Sequence, residues 1–68
     1  MALRDVVAMT PSERAARRTT YRQAHQIVES LIASGVTRSR SFGEAARAIG
    51  CERNEVVRRY WHHAHGWV

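Results

Sequence analysis

Residues 41–64, SFGEAARAIGCERNEVVRRYWHHA, decide the fold. Phe42, Ala45, Ala46 and Ile49 recur at i, i+3, i+4 and i+7, which gives a helix over residues 42–49 one apolar face. Ser41 and Glu44 read as the capping box that starts it. Val56, Val57, Tyr60, Trp61 and Ala64 follow at i, i+1, i+4, i+5 and i+8 and predict a second helix over residues 53–65. Between the two sits Gly50, where a glycine lets the chain leave the first helix in a left-handed conformation. Glu52 falls at the N-cap of the second helix and is a poor cap. With the apolar faces packed together, Asn54, Arg58 and Arg59 are left on the polar face of the second helix.

Upstream, Thr10-Pro11-Ser12-Glu13 is a strong helix start, with Thr10 as N-cap, Pro11 at the first helical position and Glu13 completing a capping box. No breaker follows until Gly35, so a long helix is predicted over residues 11–34, roughly 36 Å at 1.5 Å per residue. Its second half carries Ala24, Ile27, Val28, Leu31 and Ile32 on one side and is a core helix. Its first half carries Arg14, Arg17, Arg18 and Arg22 with little apolar surface. Arg14, Arg18 and Arg22 stand four apart in one stripe, which costs an isolated helix about 0.2–0.5 kcal/mol per like-charged pair. No acid lies four residues from any of them. The stripe either tracks a phosphate backbone or is a solvated basic face. Residues 36–40 read as the loop to the next helix, and there Arg38 and Arg40 stand among hydroxyl side chains beside a helix N-terminus, a setting suited to phosphate. Leu3, Val6 and Val7 are at helical spacing, so residues 1–9 form a short helix or an arm. The expectation is one all-α domain over residues 1–68, a bundle of three helices, or four if residues 1–9 are helical.

Sixty-eight residues are near the lower limit for a self-sufficient core. At 44% hydrophobic and 25% charged, the chain is globular. A single cysteine, Cys51, allows no intrachain disulfide, and an intracellular, cytoplasmic home is expected. No apolar run reaches transmembrane length, and Thr19, Thr20 and Gln23 interrupt the apolar face of the arginine helix, so no membrane role is expected. All 11 basic residues are arginine against 6 acids, a net charge of +5, which favours a polyanionic partner. Guanidinium suits bidentate contacts to phosphate and guanine. A high-G+C genome also favours arginine codons, so the position of the charge says more than its chemical type.

On these residues the 41–64 segment resembles the helix-turn-helix of the homeodomain-like and sigma-factor region 4 superfamilies. The resemblance rests on Ala46 four residues before Gly50, Ile49 before it, Cys51 after it and Val56 six residues on, with Arg59 and Ala64 further along. It covers about a third of the chain. Two features depart from the pattern: Glu52 stands where Ser, Thr or Asp is usual, and Val57 and Trp61 occupy positions that often touch bases. The resemblance implies that the second helix enters the major groove of double-stranded DNA, with Arg53, Asn54 and Arg58 reaching base edges. Arg14, Arg18, Arg22, Arg38, Arg40 and Arg59 would then meet phosphates. It also implies a small transcriptional regulator or DNA-recognition factor. Many such proteins bind two half-sites as a homodimer. Small size and high arginine suit a phage or mobile-element protein, acting in the host cytoplasm or on a bacterial nucleoid.

The alternative is a protein-interaction module, an adaptor or inhibitor of a host protein. Val57 and Trp61 lie at the margin of the apolar face. They either pack under the long helix or form an exposed strip with Trp67 and Val68 that marks an interface. His62 and His65, three apart, share a helical face, but Cys51 lies about 16 Å away by helical rise, and no metal or other cofactor is expected. Cys51 reads as a small apolar residue at the turn. No Gly-rich phosphate loop, paired carboxylates or Ser/His/Asp arrangement is present, and the chain has little room for a small-molecule pocket, so no catalysis is expected.

Overall fold

Three helices make up the architecture: α1 (Pro11–Ala33), α2 (Arg38–Ile49) and α3 (Arg53–Ala64). The computed structural model describes residues 10–67. The helix or arm expected over residues 1–9, and Val68 of the apolar strip, lie outside the described residues. Among the described residues there is no strand, and no helix is long and apolar enough to cross a membrane.

Local sequence explains most of the boundaries. The Thr10 hydroxyl accepts from the Glu13 N–H at 3.2 Å while the Glu13 carboxylate accepts from the Thr10 N–H at 3.1 Å. These bonds hold the Glu13 carboxyl below the usual glutamate range, the backbone bond contributing most. Gly50 ends α2 at φ +84°, and the Ala46 carbonyl accepts from both Gly50 (2.8 Å) and Cys51 (3.1 Å). The chain then needs only Cys51 and Glu52 to begin α3, whose N-cap Glu52 makes no side-chain capping bond, as its chemistry leads one to expect.

One boundary differs from the sequence reading by more than a single residue. Helix α2 begins at Arg38, a full turn before Phe42, because Thr37 is the cap and its hydroxyl accepts from the Arg40 N–H at 3.3 Å. Ser41 is therefore a fully buried helical residue whose hydroxyl donates to the Thr37 carbonyl at 2.8 Å. Glu44 makes no capping bond back and lies 4.0 Å from Arg47 instead. Both Thr37 and Ser41 are good caps. No Gly or Pro lies between them, so the earlier one wins and gains a turn of backbone hydrogen bonds. Arg38 and Arg40 consequently stand in the first turn of a helix and not in a loop.

The core is Val28 of α1, Phe42, Ala45 and Ala46 of α2, and Val56 and Tyr60 of α3. Ile27, Ile32, Ile49, Cys51 and Val57 close its edges. Ala24 and Ala45 are fully buried, and such small residues let helix axes approach closely. Leu31, expected in the core, is half-buried near the end of α1 and outside the central cluster. Tyr60 ties the polar and apolar layers together. Its ring meets Phe42 edge-on at 5.4 Å and stacks on His25 at 4.8 Å, and its hydroxyl donates to Glu29 at 3.2 Å. No buried side-chain polar atom among the described residues lacks a partner. That matters in a core this small, where one orphan would cost about 1–3 kcal/mol.

Candidate nucleic-acid interface

Helix α3 has two unlike sides. Val56 and Tyr60 are buried, and His63 continues their side. Residues two apart on a helix lie about 200° round from one another. Asn54, Arg58, Trp61 and His65 therefore form the opposite, exposed row.

The three expected base-readers are not equally free. Asn54 is exposed and unengaged among the described residues. Arg53 reaches back to α2, where its Nη2 donates to the Ser39 carbonyl (3.3 Å) and hydroxyl (3.0 Å), and its guanidinium lies 5.5 Å from the Phe42 ring centre. Arg58 donates through Nη1 to the Tyr21 hydroxyl and through Nη2 to the Glu55 carboxylate. Its side chain is still 45% exposed, and its remaining N–H groups point to no partner within the described residues.

Arg59, expected at a phosphate backbone, is turned inward. Its side chain is 18% exposed, its Nε donates to Glu55 at 2.9 Å, and its guanidinium lies 6.0 Å from the Tyr21 ring. Glu55 thus gathers two arginines. The hydrogen bond from Arg59 is the largest cause holding its carboxyl below the usual glutamate range, and the hydrogen bond and charge of Arg58 add to it. Spacing offered a signal for this network, since Glu55 precedes Arg58 and Arg59 by three and four residues. The part played by Tyr21 had none. Although it sits within the arginine stripe, it is 4% exposed, beneath the guanidinium groups of Arg17 (5.2 Å) and Arg58 (5.4 Å), and offers no face to a nucleobase.

The remaining arginines divide by place. Arg38, in the first turn of α2, lies over the Trp61 ring at 5.4 Å, so the start of α2 borders the exposed row of α3. Arg40 is exposed on the same turn. Arg14, Arg18 and Arg22 are exposed on α1, and none of them has an acidic partner among the described residues. Arg18 and Arg22 line a half-open groove of about 270 Å³ with Ala15, Thr19 and His63. Among the described residues, no group of three or more His, Cys, Asp or Glu side chains is placed to hold a metal ion.

The expected apolar strip is narrower than its sequence. Val57 is half-buried against the core. Trp61 is 36% and Trp67 67% exposed. Both stack on His65, at 5.9 Å and 4.6 Å, so the three rings form one ladder. A turn after α3 holds Trp67 in place: Gly66 takes φ +72° and the Trp67 N–H donates to the His62 carbonyl at 2.9 Å, with the two rings 5.3 Å apart. Searches of protein-family models, of curated proteins and of solved structures find no match to this chain.

Proposed function

We propose that the chain binds double-stranded DNA as a helix-turn-helix, with α3 in the major groove and the first turn of α2 against the phosphate backbone. The observation that carries this reading is the juxtaposition of Asn54 and Arg58 on the exposed side of α3 with Arg38 and Arg40 on the neighbouring turn. A bidentate Asn–adenine or Arg–guanine pair is worth about 1–3 kcal/mol of discrimination. Arg58 is favoured as a reader because Glu55 and Tyr21 already hold its guanidinium, and an immobilised long side chain otherwise costs about 0.5–1.5 kcal/mol on binding. Arg53 is the secondary reader, since it must leave Ser39 to reach a base. Such a protein is a small transcriptional regulator or DNA-recognition factor, gaining specificity as a homodimer across two half-sites.

The test is fluorescence anisotropy on random-sequence and selected duplexes between about 50 and 200 mM salt, the range in which phosphate contacts show. Arg38→Gln with Arg40→Gln should flatten the log–log salt slope by about 1.8, at 0.9 per lost phosphate contact, for all duplexes alike. Asn54→Ala should cost about 1–3 kcal/mol on selected duplexes only. Absence of binding to any duplex at the lowest salt defeats the reading.

A second reading is favoured by the exposed Trp61–His65–Trp67 ladder: an interaction module that docks on a protein partner. It predicts activity that survives raised salt and is lost on Trp67→Ala but not on Asn54→Ala.

A further inference from the structure

Arg18 and Arg22 of α1 do not belong to the surface that α3 would present to a duplex. His63, which shares the groove with Arg18 and Arg22, lies about 180° round α3 from Asn54, and a helix with its side chains is about 10–12 Å across. A duplex seated against Asn54 and Arg58 is therefore separated from this groove by the body of α3.

The groove itself has the chemistry of an oxyanion site. Two guanidinium groups and an imidazole line it, no carboxylate does, and Arg18 and Arg22 have no acidic partner among the described residues. The Thr19 hydroxyl donates to the Ala15 carbonyl at 3.1 Å, so the lining N–H donors are those of the three cationic or cationisable side chains. The ring beside His63 is His25, at 4.8 Å, a second imidazole and not an acid. Arg14 extends the same stripe one turn further, with about 6 Å of rise between successive arginines. A linear array of phosphates matches such a stripe better than a single small anion does.

We propose that the α1–α3 groove is a second phosphate-binding site, filled by the backbone of a second duplex, so that the protein bridges two DNA segments. The inference rests on the reading of α3 as the first DNA surface. It reassigns Arg14, Arg18 and Arg22 from the duplex that α3 reads to another one.

The experiment immobilises one duplex on beads, adds the full chain and measures retention of a second, labelled duplex. Anisotropy follows single-duplex binding in parallel. Wild type should retain the second duplex, and the Arg18→Gln/Arg22→Gln double variant should lose that retention while its single-duplex affinity stays within about twofold. Both positions are exposed and glutamine is a good helix former, so the fold is kept; circular dichroism checks this. Wild type that binds one duplex but retains no second overturns the proposal. Retention by the double variant equal to wild type also overturns it, because bridging then comes from a second copy of the chain. One duplex bound and no second retained overturns the bridging alone, whereas failure of every duplex to bind overturns the α3 reading and the bridging together. The groove is then judged on inorganic phosphate alone, followed on the His63 Hε1 resonance. A saturable shift that disappears in the double variant supports a phosphate site there, and no shift beyond that of chloride at equal ionic strength overturns it.

Discussion

The two halves of α1 are one continuous helix and yet two different objects. Residues 11–20 are almost wholly exposed, and Arg14, Arg17 and Arg18 there face no carboxylate partner among the described residues. From Tyr21 onward the same helix buries Tyr21, Ala24 and Val28 against α2 and α3. Helix formation in the first half is therefore local. It depends on the Thr10–Glu13 capping box and Pro11, while tertiary packing sustains the second half. The first half adds charge repulsion and no core, which leaves its arginines available for the proposed contact with phosphates.

The largest effect should come from removing what the buried half packs with. Phe42→Ala is expected to cost about 3–5 kcal/mol, which is all that a core of this size supplies. Cooperative thermal unfolding by circular dichroism should disappear. A sharper version compares the halves directly. Ala24→Leu overpacks a fully buried position and should destabilise by about 1–3 kcal/mol, whereas Ala16→Leu, on the exposed half, should stay within about 0.5 kcal/mol. Equal urea midpoints for the two variants would erase the distinction.

Glu55→Gln comes next, at about 1 kcal/mol, since it loosens Arg58 and Arg59 at a partly exposed site. The folded-state pKa of Glu55 is depressed, so the unfolded chain binds its proton more readily. Its stabilisation is complete above the unfolded pKa and is lost as pH falls through the folded one. The glutamine variant should thus show a shallower loss of stability on the acid side. An unchanged acid limb would mean that the network is not formed in solution. The smallest effect is expected for Arg18→Gln with Arg22→Gln, within about 0.5 kcal/mol and in the stabilising direction, because a like-charged pair is relieved. A large loss of stability here would show that the exposed half is structural after all.

Much of the fold was legible because its signals are local. The capping box at Thr10, the stop at Gly35, the turn at Gly50 and the apolar spacing of α2 each act within a few residues, and each lies where the sequence placed it. Of the apolar face expected on α3, only Val56 and Tyr60 are buried, with Trp61 and Ala64 exposed. Where two local signals competed, as Thr37 and Ser41 did for the start of α2, the sequence offered no way to rank them. The candidate interface was legible in part. Asn54 is exposed as expected, but the expected equivalence of Arg53, Asn54 and Arg58 does not hold, and Arg59 faces inward.

By itself, then, the sequence determined that there would be helices, roughly where they stop, and that their surface would be strongly basic. Only the tertiary structure decided which arginines are engaged and which are left over. Tyr21 meets Arg58 across 37 residues of chain, and Arg18 and Arg22 share a groove with His63 from another helix. Capping and periodicity act between near neighbours in the chain. Engagement of a charge is a relation between surfaces, and it exists only once the helices have packed.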